Sequence, residues 1–164
     1  MKKKSYIACL CTLALGLFAT SCDDHADDPK YRSLPPTFAD MDLKMLEDGS
    51  TTLRAGEKIL ATCVQTKPGR LINKATYKWS AKPVDAAHSF KKEVIYDLQN
   101  FNPTDTLVFE KPGTYTLAFT GQYHTSGQSQ IVSNIVDIDK GKITYETPTF
   151  LYYKVTVEKR FTVK

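Results

Sequence analysis

The feature that most constrains the fold is a run of alternating apolar and polar residues near the C-terminus. From Tyr153 to Val163 the odd positions are Tyr, Val, Val, Lys, Phe and Val, and polar residues fill the even positions between them. Successive side chains of a β-strand point to opposite faces of the sheet, so a period of two residues separates two faces. Five apolar residues among the six odd positions predict a long strand with one buried face.

Shorter runs of the same kind occur earlier in the chain, and turn residues separate them. Ile59, Ala61 and Cys63 share one face of a run that ends at Pro68–Gly69. Further runs with an apolar face lie at 75–81, 93–98 and 105–120, and Pro112–Gly113 interrupts the last of these. Several short strands with turns at intervals of roughly 8–12 residues are typical of a sandwich or barrel. The sequence therefore predicts an all-β fold.

Residues 37–48 fit two patterns. A helix would align Phe38, Met41, Met45 and Leu46 on one stripe, with Thr37 as its cap. A strand would align Ala39, Met41, Leu43 and Met45 on one face. We favour the strand, because a first strand is what the rest of the pattern lacks.

The first 21 residues have the pattern of an export signal. Lys2, Lys3 and Lys4 precede Tyr6–Ala19, an uncharged apolar stretch of 14 residues. This stretch is shorter than the roughly 20 residues of a membrane-spanning helix and suits the core of a signal peptide. The small residues Thr20 and Ser21 then precede Cys22.

The sequence Ala19-Thr20-Ser21-Cys22 resembles the lipobox of bacterial lipoproteins, with Ala19 where Leu is usual. The resemblance implies cleavage before Cys22, a diacylglycerol thioether on its sulfur and acylation of its new amine. Two or three acyl chains anchor a protein stably to a membrane, whereas one does not. The alternative is an ordinary secreted protein with a chance cysteine.

Residues 22–35 are predicted to form a flexible acidic tether between the lipidated cysteine and the domain. Four aspartates lie within six residues, at Asp23, Asp24, Asp27 and Asp28, and prolines follow with little apolar content. Such a segment cannot bury enough surface to offset its chain entropy. An acidic cluster after the lipidated cysteine is similar to the export signal of Bacteroidetes surface lipoproteins, which implies display outside the outer membrane. The alternative is a solvated spacer on a periplasm-facing anchor.

Charge and cysteine content argue against a nucleic-acid-binding protein and against a fold held by disulfides. Removing the three lysines with the leader leaves 19 Lys and Arg against 18 Asp and Glu. A chain so nearly neutral has no strong field for nucleic acid. With Cys22 lipidated, Cys63 would have no partner for a disulfide within the chain.

Two motifs narrow the fold further. Trp79 in "YKWSA" suits the space between two sheets, and Tyr115 follows the Pro-Gly turn of "KPGTYTLAF" at the head of a later strand. Together these motifs resemble the Ig-like and PKD-like modules of bacterial surface proteins. The resemblance covers about residues 50–125 and implies an antiparallel β-sandwich, which we assign to a domain at residues 36–164. Residues 121–150 are then an insertion that forms an extra hairpin through "IVDIDKGKITYE".

The sequence contains no enzyme or metal signature. His88 and His124 lack the cysteine, second histidine or nucleophile that a zinc site or a hydrolase triad needs. The residues after Asp137 fail the EF-hand spacing and predict a tight turn at 139–142 instead. Cys63 is expected to be buried and inert. We therefore expect no catalytic residue, metal or cofactor.

A few residues are candidates for contact or modification. Exposed aromatic rings stack on sugars, so Tyr145 and Tyr152 are candidate contacts for a glycan or protein partner. The alternative, which we favour, is that such rings cover the second face of the sheet or fill the core under the insertion. Asp105-Thr106-Leu107 resembles an O-glycosylation sequon of Bacteroidetes exported proteins, which implies modification of Thr106. The expected function is a non-catalytic binding or adhesion module at the cell surface. The alternative is a structural accessory lipoprotein of a periplasm-facing envelope complex.

Overall fold

A computed structural model of the chain describes residues 29–83, 90–95 and 102–164. The predicted leader, Cys22, the four aspartates of the tether and His88 lie outside the described residues. The described part contains a short 3₁₀ turn at Pro29–Tyr31 and eleven strands. They are β1 (Arg32–Ser33), β2 (Thr37–Met45), β3 (Lys58–Lys67), β4 (Ile72–Lys82), β5 (Phe90–Ile95), β6 (Thr104–Val108), β7 (Gly113–Thr125), β8 (Gln128–Ser129), β9 (Ser133–Ile138), β10 (Gly141–Thr149) and β11 (Tyr152–Val163).

The strands form a β-sandwich of two antiparallel sheets, which confirms the predicted all-β architecture. The larger sheet has six strands in the order β5-β4-β7-β11-β10-β9, and the smaller has three in the order β2-β3-β6. Strands β1 and β8 add a short parallel pair at one end. The smaller sheet covers only part of the larger one, because β10 is buried at Ile143 and Tyr145 whereas β9 is exposed along almost its whole length.

The core lies between the two sheets and is rich in aromatic rings. Trp79 on β4 is buried, with its ring 5.0 Å from that of Phe119 on β7. Phe119 also contacts the rings of Phe38 and Tyr77, at 6.0 and 5.3 Å between centroids. The alternation predicted for the last strand is present, since Tyr153, Val155, Val157 and Val163 are all buried.

Residues 37–45 form a strand, as we favoured, but its buried face is not strictly alternating. Phe38, Met41 and Met45 are buried, whereas Ala39 is exposed. The register with β3 shifts between Phe38 and Asp40. A bulge of this kind places two residues opposite one and changes which side chains point inward, so Phe38 and Met41 both reach the core.

The chain passes between the sheets in a Greek-key order. Strand β6 ends in the smaller sheet and β7 begins in the larger one, on either side of Pro112. At the head of β7 the hydroxyl of Tyr115 donates a 2.7 Å hydrogen bond to the carbonyl of Lys111. Immunoglobulin-type sandwiches have a tyrosine in this position, bonded to the backbone a few residues upstream. Membership of the Ig-like or PKD-like group stays a prediction.

The predicted insertion is present but begins later than expected. Strand β7 continues through Gly121 to Thr125, so the inserted segment starts at Ser126 and not at residue 121. The reason is local, because Gly121 leaves room for the ring of Tyr123, which a Cβ would approach to 2.5 Å. The extra hairpin is confirmed as β9–β10, with Asp139 and Lys140 as its two turn residues.

The segment just before β2 corrects the predicted boundary between tether and domain. Residues 30–35 are not part of a free tether, because Arg32–Ser33 pairs with β8 and Leu34 bridges to Arg70. Ser33 is fully buried. The segment is polar in composition, but its polar groups have hydrogen-bond partners: the backbone pairs with β8, and Ser33 bonds to the hydroxyl of Tyr153 on β11. The domain therefore begins near residue 29 and not at residue 36.

Candidate functional site

A groove of about 710 Å³ opens on one side of the sandwich. Four segments line it: the middle of β2, the head of β7, the end of β11 and the turn between β9 and β10. The loop after β2 closes one end. We call it the lateral groove. Its lining residues are Met41, Asp42, Leu43, Thr51, Leu53, Thr114, Asp139, Lys140, Lys159, Arg160, Phe161 and Thr162.

One wall of the lateral groove is the open edge of β2. Hydrogen bonds from Leu46 N–H to Lys58 O (2.9 Å) and from Cys63 N–H to Pro103 O (2.8 Å) fix the alternation of the ladder. Even-numbered residues of β2 beyond its bulge bond to β3, and the odd-numbered residues direct their N–H and C=O groups away from it. Met41 and Leu43 therefore present their backbone groups toward the groove.

Most outward amides of β2 already have partners. The Phe38 amide donates to the Tyr145 hydroxyl (3.1 Å), and the Met41 amide donates to the carboxylate of Asp40 (2.7 Å). The Met45 amide donates to the carbonyl of Ser50 (2.8 Å). Among the residues that the structure describes, Leu43 is left as the outward amide of this edge without a hydrogen-bond partner. A strand edge protected in this way is open to pairing over a short stretch only.

The opposite wall is the end of β11, beyond its pairing with β10. Strand β10 begins at Gly141, and the Arg160 amide donates to the carbonyl of Lys140 (2.8 Å) just before it. Phe161 forms the apolar floor, and its ring contacts that of Phe109 at 5.1 Å. The groove thus has an aromatic floor between two stretches of backbone edge.

Charges of both signs surround the lateral groove. Asp42 and Asp139 face it together with Lys140 and Arg160. Beside Met41, at the edge of the groove, Lys159 on β11 forms a 2.7 Å ion pair with Asp40 on β2, and this pair joins the two sheets. The Lys159 side chain is 16% exposed, so this pair is partly shielded from water. The rim can accept hydrogen bonds from a ligand and donate hydrogen bonds to it. Because its charges have both signs, it does not favour a ligand with a large net charge.

The structure separates the two tyrosines that the sequence grouped as contact candidates. Tyr145 is 6% exposed and its hydroxyl lies against β2, so its ring is not a stacking surface, and the prediction of a contact role for Tyr145 is wrong. Burial raises the pKa of its phenol. Tyr152 lies on the outer face of β11, half-buried, with its ring 5.7 Å from that of His124. Its contact role stays a prediction.

The remaining candidates are placed as follows. Thr106 is exposed on the outer face of β6, an edge strand, so its hydroxyl is accessible, and its glycosylation stays a prediction. Cys63 is fully buried; this burial, with a smaller effect of Asp40, raises the pKa of its thiol well above the usual value. Within the described ranges, no group of three or more His, Cys, Asp or Glu residues is arranged to hold a metal ion.

Comparison of the chain with protein-family models, with curated proteins and with solved structures gave no match. In the part of the chain that the structure describes, no helix is long and apolar enough to span a membrane.

The lateral groove was not predicted from the sequence. Its walls come from five segments that lie up to 121 residues apart, from Met41 to Thr162. The one available signal was the alternation of β2 and β11, which predicted the strands but not which of their edges stay open.

Proposed function

We propose that this protein is a non-catalytic, lipid-anchored binding module on the outer face of a Bacteroidetes-type outer membrane. The lipobox-like sequence before Cys22 and the acidic run after it support the address. A rigid sandwich with a groove formed by loops and strand edges supports a binding role, since such scaffolds hold recognition sites at their periphery.

The observation that carries this proposal is the position of the lateral groove relative to the point where the chain enters the domain. The chain enters at residue 29, beside the first residues of β11. Phe161 lies nine residues further along β11, or roughly 30 Å at the rise of an extended strand. An anchor at Cys22 would hold the groove on the side of the domain remote from the membrane, where a partner can reach it.

The chemistry of the groove favours an extended polypeptide over other ligands. An incoming strand could accept a hydrogen bond from the Leu43 amide and donate one to an outward carbonyl of β2. Its side chains would alternate between the Phe161 floor and solvent. The rim of Asp42, Asp139, Lys140 and Arg160 suits a partner segment with charges of both signs.

A glycan is the second candidate ligand, and one observation favours it. The rings of Tyr152 and His124 lie side by side on the outer face of the larger sheet, and flat half-exposed rings can stack against a sugar. This surface is near the entry of the chain and is separate from the lateral groove.

Photo-crosslinking in cells tests the groove. A photo-reactive amino acid at Thr51, on the rim, should trap a partner polypeptide, whereas the same amino acid at Thr120, on the outer face of β7, should not. Equal products at both positions, or none at Thr51, would contradict a groove-bound partner.

A substitution at Leu43 tests the role of the strand edge. Leu43→Pro removes the outward amide and leaves the β2–β3 ladder bonds in place. Leu43→Ala is the matched control, because it shortens the same side chain and keeps the amide. We expect crosslinking through Thr51 to fall at least tenfold in Leu43→Pro relative to Leu43→Ala. Equal crosslinking in the two variants would exclude strand addition at β2.

Protease treatment of intact cells tests the address. With an antibody to residues 36–164 as the readout, loss of signal without lysis is the result expected for a domain outside the cell. Protection until lysis would instead indicate the alternative, an accessory lipoprotein of a periplasm-facing envelope complex.

A further inference from the structure

The end of the sandwich at which the chain enters carries a group of exposed apolar side chains. Phe150, Leu151 and Ile131 are 64%, 71% and 79% exposed, and three more apolar residues are partly exposed beside them. We call this group the apolar entry end. Its members are Tyr31, Leu34, Leu71, Ile131, Phe150 and Leu151.

Hydrogen bonds around the turn after β7 show that these residues belong to one surface. The Leu151 carbonyl accepts from the Thr125 amide at 3.0 Å, and the Leu71 carbonyl accepts from the Ser126 amide at 2.9 Å. The Phe150 carbonyl accepts from the Ser129 hydroxyl at 3.0 Å. The apolar side chains therefore project from segments that meet at residues 125–129.

The described part of this end has more basic than acidic side chains. Its segments 29–37, 66–74, 124–133 and 146–152 contain Lys30, Arg32, Lys67, Arg70 and Lys74 and one acidic residue, Glu146, which forms a 2.8 Å ion pair with Lys154. Apolar side chains ringed by lysine and arginine are the composition that binds the interface of a membrane with anionic lipids. The aspartates at 23–28 lie close in sequence and offset part of this charge, so the apolar side chains provide the larger part of the contact.

The length of chain before the domain brings this end to the membrane. Six residues separate Cys22 from Pro29, and the seven extended steps from Cys22 to Pro29 span about 25 Å at most. Strand β7, with 13 residues, is roughly 40 Å long at the rise of a β-strand. The tether is therefore shorter than the domain, and an anchor at Cys22 would keep the entry end closer to the lipid surface than the far end.

We propose that the apolar entry end inserts Phe150, Leu151 and Ile131 into the interface of the membrane that carries the anchor. This inference rests on the proposed lipidation of Cys22. The lipid contact fixes the long axis of the sandwich away from the membrane and directs the lateral groove outward.

Depth-dependent quenching tests the contact. The lipidated protein carrying Leu151→Cys, or Ser50→Cys at the far end as the control, is labelled with an environment-sensitive fluorophore and reconstituted in phosphatidylethanolamine–phosphatidylglycerol vesicles with a nitroxide lipid. Cys63 is buried and Cys22 is lipidated, so only the new thiol reacts. We expect at least threefold stronger quenching at position 151 than at position 50. Equal quenching at the two positions would overturn the proposal.

A second comparison tests whether the apolar side chains cause the contact. Phe150→Ser should lower the quenching of the label at position 151 by at least half. The matched control, Ile135→Ser, removes an equally exposed apolar side chain from β9 and should leave the quenching unchanged. The same loss in both variants, or in neither, would contradict insertion through the entry end.

Mass spectrometry of the Cys22 peptide separates this proposal from the proposed anchor. An acylated Cys22 with no quenching at position 151 would overturn the membrane contact and leave the anchor intact. An unmodified Cys22, with quenching at position 151 when vesicles are added to labelled protein that also carries Cys22→Ser, would overturn the anchor and support the contact.

Discussion

The hydroxyl of Tyr153, on the last strand, donates a 2.7 Å hydrogen bond to the carbonyl of Ser33, which lies 120 residues earlier in the chain. The same hydroxyl accepts a 2.8 Å hydrogen bond from the Gln130 amide and lies 3.2 Å from the hydroxyl of Ser33. Tyr153 and Ser33 are both fully buried. One phenol therefore joins the entry segment, the insertion and β11.

Tyr153→Phe should destabilise the domain, because it leaves the buried Ser33 carbonyl and Gln130 amide without their shared partner. Groups left unsatisfied in this way cost about 1–3 kcal/mol each, so we expect the free energy of unfolding to fall by about 2 kcal/mol. Urea denaturation of the two proteins measures the difference. Tyr152→Phe, on the half-exposed neighbour, is the control and should change the free energy by less than about 0.5 kcal/mol. Equal effects of the two substitutions would show that the buried hydroxyl network contributes little.

Substitution in the aromatic core around Phe119 should cause a larger loss of stability. Its ring contacts Phe38 from the smaller sheet and Tyr77 and Trp79 from the larger one. Phe119→Ala should lower the free energy of unfolding by about 3–5 kcal/mol, through lost burial and the cavity left behind. Phe150→Ala removes a similar but exposed ring and should cost less than about 0.5 kcal/mol. Thermal unfolding of both variants tests the difference, and a small loss in Phe119→Ala would mean that the core repacks.

Much of this fold could be predicted from the sequence because its strands have solvated faces. Alternation along 153–163 and 59–63 marks the inward apolar residues, and these are buried as expected except Phe161, which is partly buried. Alternation fails where the backbone departs from regular pairing. The bulge near Ala39 shifts the buried face of β2, and the close approach of Tyr123 lets Gly121 lie inside a strand instead of ending one.

The entry segment and the candidate site depend on contacts between distant parts of the chain. Residues 30–35 have the composition of a tether, and only the partners on β8 and β11 show that Ser33 is buried. Tyr145 and Tyr152 are close in sequence, yet one phenol caps β2 and the other lies on the outer face. The lateral groove is lined by residues from Met41 to Thr162, and the strand order that leaves the edge of β2 open cannot be predicted from the pattern of any one segment.

Cys63 should be unreactive in the folded protein. Burial, and to a smaller extent the charge of Asp40, raises the pKa of the thiol well above 9.0, so little thiolate is present at pH 8. With Cys22 lipidated, a thiol reagent should modify no cysteine in native buffer and one cysteine in concentrated urea. Because the unfolded thiol ionises near pH 9.0 and the folded one does not, unfolding should also become easier as the pH rises above that value. Rapid modification in native buffer would contradict this prediction.

Asp48 should have a lowered pKa in the loop between β2 and β3. Its carboxylate accepts hydrogen bonds from the Ser50 amide at 2.9 Å and from the Arg54 guanidinium at 3.0 Å, and both hold its pKa below 3.8, with the hydrogen bond from the Ser50 amide as the largest single cause. A lowered pKa means that this stabilisation is present at pH values above 3.8 and is lost as the pH falls further. The expected midpoint of the Asp48 carboxyl resonance in an NMR titration is therefore below 3.8. Arg54→Gln should raise this midpoint only part of the way to 3.8, since the Ser50 amide remains. Arg160→Gln, which removes a cation from another part of the surface, should leave it unchanged, and a full return to 3.8 in Arg54→Gln would show that the guanidinium dominates.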